Sequence, residues 1–318
     1  MRLFLLASLL SGVVHVQASS PVRYRDSMFV VDKTSDVVYG SSPTFRGASR
    51  ACKLDLYEPA GDRARERPLV VLMHGGGFMS GDKKERTLVD LCTYFAKRGF
   101  VCASINYRTG ISSTHTYAEF GRTICRAVED AKAAVRFFVS GNSRIDKTRL
   151  YVGGCSAGGV IACIYAYESV PEGYAGIDTI GCGNPSSPCA TPRPTAIVNM
   201  WGGVPDARWI KKGDPAILSI HGTRDKVVPY GKGCGMKIPW LTMYGSSAID
   251  SVARSKGIAS VLYSEPVGHG KFSTHYIVPK MYSFLYDNIS SAPAAKIQTG
   301  ASAFPQTDGT VVSLTGSE

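Results

Sequence analysis

Beyond its first eighteen residues the chain has no apolar run long enough to cross a bilayer, which excludes a later membrane-spanning helix. It has no paired C-x-x-C and no Cys/His spacing of the kind that holds zinc. None of its glycine clusters is followed by G-K-[ST], so a Walker-type phosphate loop is excluded. There is no internal repeat, and therefore no solenoid or propeller. Acidic residues are the minority, with 25 Asp and Glu against 36 Lys and Arg, a formal net charge of +11. The surplus gathers at Arg208, Lys211, Lys212, Arg224, Lys226, Lys232 and Lys237. The cluster lacks the interleaved aromatics of a single-strand nucleic-acid platform. It reads as a solvated basic face, and no nucleic-acid partner is expected.

What the chain does have is length and apolar content. Its 318 residues, 44% of them hydrophobic, are enough for one large core. Arg2 is followed by the apolar stretch LFLLASLLSGVV and by Val16-Gln17-Ala18, with small residues at the −3 and −1 positions of a cleavage site. This reads as a signal peptide cleaved after Ala18, which implies a secreted or periplasmic protein with no stable membrane insertion. Nine cysteines in a secreted chain suggest disulfides, and their odd number leaves at least one thiol over. Cys182 and Cys189, in GCGNPSSPC, form the expected pair. Cys102 and Cys155 fall in apolar strand segments and read as core thiols.

Strand and helix patterns alternate along the chain. Apolar runs at Pro68–Met73, Phe100–Ile105, Leu150–Val152, Ala196–Met200, Ala216–Ile220 and Ser260–Tyr263 read as strands. Helical stretches are expected at Glu85–Arg98, Ala157–Tyr167, Leu241–Lys256 and Phe272–Asn288. A further helix carries Ile124, Val128, Ala131, Val135 and Phe138 at spacings of 4, 3, 4 and 3. Such alternation predicts an α/β fold, a mostly parallel sheet with helices on both faces. Val37–Tyr39 and Lys53–Tyr57 are expected to form an antiparallel edge. The catalytic domain is placed at residues 19–290, and the small, polar segment 291–318 reads as a disordered tail.

In open parallel sheets ligands bind beyond the carboxyl ends of the strands, so the residues just after each strand are where chemistry should lie. Gly154-Cys155-Ser156-Ala157-Gly158 is a G-x-S-x-G motif between a strand and a helix. A serine on so sharp a turn needs glycine two residues to either side, because side chains there would collide. Only Ser156 has both, so Cys155 is not its rival. His74-Gly75-Gly76-Gly77-Phe78 follows the strand PLVVLM. The backbone N–H groups of Gly76 and Gly77, with that of Ala157, are placed to stabilise an oxyanion. A base and an orienting acid should follow in the order acid, then His. Asp225, in HGTRDKVVPY, and His269, in VGHGKF, each lie just past a strand. His115, His221 and His275 are expected to be structural.

In this order LMHGGGF, SINYR, GGCSAGG, HGTRDKVVP and GHG resemble the α/β-hydrolase carboxylesterases of the HGGG type, over roughly residues 37 to 289. The resemblance implies a Ser156–His269–Asp225 triad and an oxyanion hole from Gly76, Gly77 and Ala157. It also implies a sheet of about eight strands and no metal or organic cofactor. Asn106-Tyr107-Arg108 matches the family's structural segment after the fourth strand and carries no catalytic role. Hormone-sensitive-lipase relatives continue that segment with A-P-E, whereas here it reads TGISS. Secreted feruloyl and acetyl esterases have similar motifs.

Three functions fit the pattern: an ester hydrolase, a serine peptidase of the prolyl-oligopeptidase type, and a catalytically inactive binding module. The peptidase reading lacks room for its large N-terminal domain. The inactive module would be expected to lose a triad residue or an oxyanion glycine. The ester hydrolase is the expectation, acting on short-chain or aromatic acyl esters, as small molecules or linked to polysaccharide. The stretch from Val170 to Pro194 is polar and rich in Gly and Pro, with no amphipathic helix to serve as a lipid-binding lid.

Overall fold

The structure, a computed structural model, describes residues 22–111, 116–140, 144–167 and 191–290. The expected signal peptide, the Cys182–Cys189 pair, His115, most of the Val170–Pro194 stretch and the C-terminal tail all lie outside these residues.

Eleven strands are described: β1 (Val31–Pro43), β2 (Ser49–Pro59), β3 (Arg67–Met73), β4 (Val101–Ile105), β5 (Ile145–Cys155), β6 (Ala196–Met200), β7 (Gly203–Val204), β8 (Ala216–Gly222), β9 (Lys232–Cys234), β10 (Thr242–Gly245) and β11 (Ser260–Glu265). Eight form one sheet in the order β1-β2-β4-β3-β5-β6-β8-β11. The β1–β2 and β2–β4 pairings are antiparallel, and β4 through β11 run parallel. This is the α/β-hydrolase sheet expected, antiparallel edge included. The edge is longer than Val37–Tyr39 suggests, because most of β1 is exposed and polar and leaves no apolar alternation to read.

Five α-helices cover the sheet: α1 (Arg86–Ala96), α2 (Tyr117–Ser140), α3 (Ala157–Tyr167), α4 (Ser246–Ser255) and α5 (Thr274–Ser290). The period of two in a strand decides which layer each side chain joins. Leu69, Val71 and Met73 of β3 pack with Val128, Val135 and Val160 of α2 and α3. Val70 and Leu72 pack with Leu88, Phe95, Ile277 and Met281 of α1 and α5. Every residue of α3 is buried, which is why its sequence is apolar on all sides rather than striped. Among the described residues no helix is long and apolar enough to cross a membrane.

One expected element is corrected. Leu241–Lys256 is not a single helix, because Thr242–Gly245 is strand β10 and α4 begins only at Ser246. Tyr244 and Gly245 pair with Val204 and Gly203, and Thr242 to Tyr244 pair with Cys234 to Lys232, so β7, β10 and β9 make a small antiparallel sheet. Gly245 stays extended at φ −83° and ψ −168°, donates to Gly231 O at 2.6 Å, and has no room for a Cβ against Pro229 O. These tertiary contacts override a locally helical pattern.

Candidate active site

Ser156 sits between β5 and α3 with φ +53°, the left-handed region that a residue with a side chain rarely occupies. The turn is fixed on both sides: Ser156 N–H donates to Met200 O at 2.8 Å, and Val160 N–H donates to Ser156 O at 3.0 Å. A Cβ at Gly154 or at Gly158 would overlap Met73 O at the end of β3. The collision anticipated from the motif is therefore real, but its partner is the neighbouring strand as well as the turn itself. Cys155 points away into the core, where burial pushes its thiol well above its ordinary pKa.

The glycine loop after β3 folds back over this turn. Gly76, Gly77 and Phe78 all have positive φ, at +102°, +61° and +65°. At Gly76 a side chain would strike Ser80 O as well. A Cβ at Gly75 would stand only 3.4 Å from Ser156 Cβ, which measures how close the loop comes. Among the described residues, no hydrogen bond engages the N–H of Gly76, Gly77 or Ala157. Tyr107 supports the loop from beneath, donating to His74 O at 3.0 Å and stacking on the His74 ring at 4.3 Å. Glu85 accepts the Gly75 N–H at 3.1 Å. Arg108 pairs with Asp130 of α2 in the interior at 2.7 Å. Asn106, Tyr107 and Arg108 thus have structural surroundings.

Asp225 follows β8, and His269 follows β11. His269 Nε2 lies 2.8 Å from Ser156 Oγ, and His269 Nδ1 lies 2.6 Å from Asp225 Oδ2. The three side chains form one hydrogen-bonded line. The other Asp225 oxygen, Oδ1, accepts the N–H groups of Val227 at 2.8 Å and Val228 at 3.0 Å. Burial by itself would raise the Asp225 carboxyl. Hydrogen bonds from His221, His269 and the Val227 N–H outweigh it and hold the group well below the usual carboxylate range.

Two cavities meet at Ser156. One, of about 280 Å³, is apolar and lined by Phe78, Phe120, Ile124, Val160, Met236 and Leu241, with Gly76, Gly77 and Ala157 at its inner end. The other, of about 500 Å³, is open and carries charged and polar groups, Asp82, Lys84, Glu85 and Thr87, beside Trp201 and Gly270. His269 lines both.

All six residues singled out in the sequence therefore converge. His275 is exposed on α5, away from this line. His221 is fully buried, as a structural histidine would be, yet its Nε2 stands 3.2 Å from Asp225 Oδ2. The spacing H-x-x-x-D, which places both residues on one turn at the end of β8, is the signal that could have linked them. For Glu85, Trp201 and Met236 no local signal exists. Among the described residues Cys52, Cys92, Cys102, Cys155, Cys163 and Cys234 are free thiols, and Cys102 and Cys155 are buried as expected.

Known proteins place this architecture. The BD-FAE family model matches residues 54–204, a span that includes the glycine loop and Ser156 and stops before Asp225 and His269. The esterase LipI of Mycobacterium tuberculosis is 35% identical over 107 residues, 33% of this chain. The match spans only 30% of that relative's length. Esterase 2 of Thermogutta terrifontis in its propionate-bound form superposes with a TM-score of 0.58 at 19% identity, covering 84% of this chain and 96% of that one. A truncated carbohydrate esterase from gut microbiota gives 0.58 at 21% identity, over 84% and 99%. The likeness to these solved structures is one of fold, that of an α/β-hydrolase, and over residues 54–204 the sequence is similar to the BD-FAE family.

Proposed function

We propose that the chain is a secreted serine hydrolase of carboxylic esters, using Ser156 as nucleophile, His269 as general base and acid, and Asp225 to orient the imidazole. The observation that carries this reading is the unbroken line from Ser156 Oγ through His269 to Asp225, at 2.8 and 2.6 Å, lying where two cavities meet.

The chemistry follows from that placement. His269 Nε2 takes the Ser156 proton as Oγ attacks the acyl carbon. The carbonyl oxygen becomes an oxyanion beside the N–H groups of Gly76, Gly77 and Ala157, which have no other described acceptor. Because His269 lines both cavities, its new proton faces the departing alcohol. Water then enters and resolves the acyl-enzyme by the same exchange.

The apolar cavity holds the acyl group, and the open polar cleft holds the alcohol. A closed cavity of about 150 Å³ accepts a benzene ring, so 280 Å³ suits a short chain or an aromatic acid. The exposed Asp82 and Lys84 and the half-buried Thr87 offer hydrogen bonds to a hydroxylated alcohol such as a sugar residue. The carbohydrate esterase of like fold is consistent with that choice.

A fluorophosphonate probe tests the centre directly. The purified protein should be labelled stoichiometrically at Ser156, as read by peptide mass spectrometry, and Ser156→Ala should lose both labelling and ester hydrolysis while retaining its melting temperature. Labelling at another serine, or a Ser156→Ala variant with half the parent's turnover, would overturn the assignment.

A further inference from the structure

His221 is one of the most enclosed polar side chains in the protein, fully buried at the end of β8. The mechanism described above does not use it. Its two ring nitrogens have unequal surroundings. Nε2 faces two acceptors, Val228 O at 3.1 Å and Asp225 Oδ2 at 3.2 Å. It must therefore carry the ring proton, since an unprotonated nitrogen would face both oxygens with a lone pair. Nδ1 lies 2.7 Å from Ser246 Oγ, at the first residue of α4. Asn199 Nδ2, on β6, stands 3.1 Å from that same hydroxyl. Only one arrangement satisfies all three groups. Asn199 donates to Ser246, Ser246 donates to His221 Nδ1, and His221 Nε2 donates to the carboxylate and to Val228 O.

The chain of bonds continues to the nucleophile. Asn199 Oδ1 accepts the Gly202 N–H at 2.9 Å. It also sits so close to Gly159 that a Cβ there would lie 2.7 Å away. Met200, the next residue on β6, accepts the Ser156 N–H. Four buried side chains, from β6, β8, α4 and the Asp225 loop, thus tie the acid to the strand that fixes the serine turn.

At Asp225 the consequence is geometric. Oδ1 is held by two backbone N–H groups, and Oδ2 is shared by His269 Nδ1 and His221 Nε2. Four donors occupy the four lone-pair positions of one carboxylate. Without His221, Oδ2 would keep a single partner, His269, which is itself flanked by Gly268 and Gly270. A fixed orientation matters here, because misplacement of a catalytic group by about 1 Å can cost roughly 100-fold.

We propose that His221 is a positioning residue for the reaction: its Nε2–H, set by the Ser246–Asn199 chain, locks Asp225 Oδ2 toward His269. The proposal rests on the Ser156–His269–Asp225 reading. It goes beyond that reading by giving the acid a dedicated partner with no contact to substrate.

The experiment is a double-mutant cycle on the full chain, reading kcat, KM and melting temperature for a short-chain p-nitrophenyl ester. His221→Leu removes the donor, and His221→Gln places an amide N–H near the position of Nε2. Ser246→Ala removes the hydroxyl that fixes the ring and is small enough to fold should His221→Leu fail to. His221→Leu should lower kcat at least tenfold with KM nearly unchanged. Gln should recover most of the loss, and Ser246→Ala should show a smaller loss of the same kind. In an Asp225→Ala background, each of these changes should have no further effect on kcat. Losses that multiply with Asp225→Ala, a Gln variant no better than Leu, or unchanged kcat in both His221→Leu and Ser246→Ala would overturn the proposal. Failure of the triad reading is separate, and would show as an unaffected parent-like rate in Ser156→Ala or Asp225→Ala alone.

Discussion

Asp225 shows how one side chain couples chemistry to folding. Its side chain is wholly inaccessible, yet its carboxyl stays ionised because four donors surround it. The sign of the effect on stability follows from the direction of that shift. An unfolded Asp titrates at about 3.9, and the folded group lies below this. The folded state therefore gains stability from Asp225 at every pH above about 4 and loses it as pH falls through the folded value. Asp225→Asn should be less stable than the parent at pH 6 in urea, and the gap should close below about pH 4. The same variant should lose roughly 10⁴-fold in kcat, because an amide stabilises neither the required tautomer nor the imidazolium. A gap that widens on acidification would contradict the linkage. The hydrogen-bonded line proposed as the triad was legible in the sequence because each of its residues sits just past an apolar strand beside a glycine or turn. His221 was legible as a residue but not as a partner, since its role depends on Ser246 and Asn199, which are distant in sequence.

At the level of elements, the parallel strands declared themselves through short apolar runs, and α2 through its stripe. What was hidden is the small β7-β10-β9 sheet, whose strands are short and partly polar, and whose pairings are set by the fold around them. It matters for function because its connections wall the apolar cavity. The turn after β9 places Met236 and Lys237 at φ +51° and +60°, two successive left-handed residues without glycine. Such a backbone is strained and persists only where surrounding bonds hold it. Here Met236 N–H donates at 2.6 Å to the carbonyl of Val227, whose own N–H, with that of Val228, caps Asp225. The Met236 thioether in turn reaches the glycine loop after β3, with Sδ 3.6 Å from the place a Gly77 Cβ would take. Met236 thus lines the apolar cavity beside the glycine loop. Met236→Ala should deepen the cavity and move the acyl optimum to longer chains. Each extra methylene admitted is worth about 0.8 kcal/mol, or roughly fourfold in kcat/KM. A p-nitrophenyl ester series that keeps its parent optimum would show that Met236 does not limit the cavity.

For the whole molecule, the two cavities are the level least legible in sequence. The apolar one draws on Phe78, Phe120, Ile124, Val160 and the stretch from Val227 to Met243, which are far apart in sequence and become neighbours only in the folded chain. No motif marks them, and Ile124 reads simply as a core residue of α2. Their arrangement nevertheless decides which esters the proposed activity would take. A long acyl chain needs a deep apolar groove and, for action on lipid droplets, a surface that changes at an interface. The cavity of about 280 Å³ ends against Met236, Leu241 and Met243, and the larger space beside it is lined by Asp82, Lys84, Glu85 and Thr87. The apolar cavity is thus small, and the space beside it carries charged and polar groups. With added length, an acyl chain first gains burial at about 0.8 kcal/mol per methylene and then meets the far wall, where overpacking costs roughly 1–3 kcal/mol. The expected profile across p-nitrophenyl acetate, butyrate, octanoate and laurate is a rise followed by a fall, with kcat/KM greatest at short chains. Methyl ferulate, whose ring fits the apolar cavity, should be cleaved as well, and a sugar acetate should be preferred over an alkyl acetate because its hydroxyls meet the polar cleft. A maximum at twelve carbons with activation by emulsified substrate would mean that the apolar cavity opens much further than its walls show, and equal rates on sugar and alkyl acetates would remove the polar cleft from the specificity.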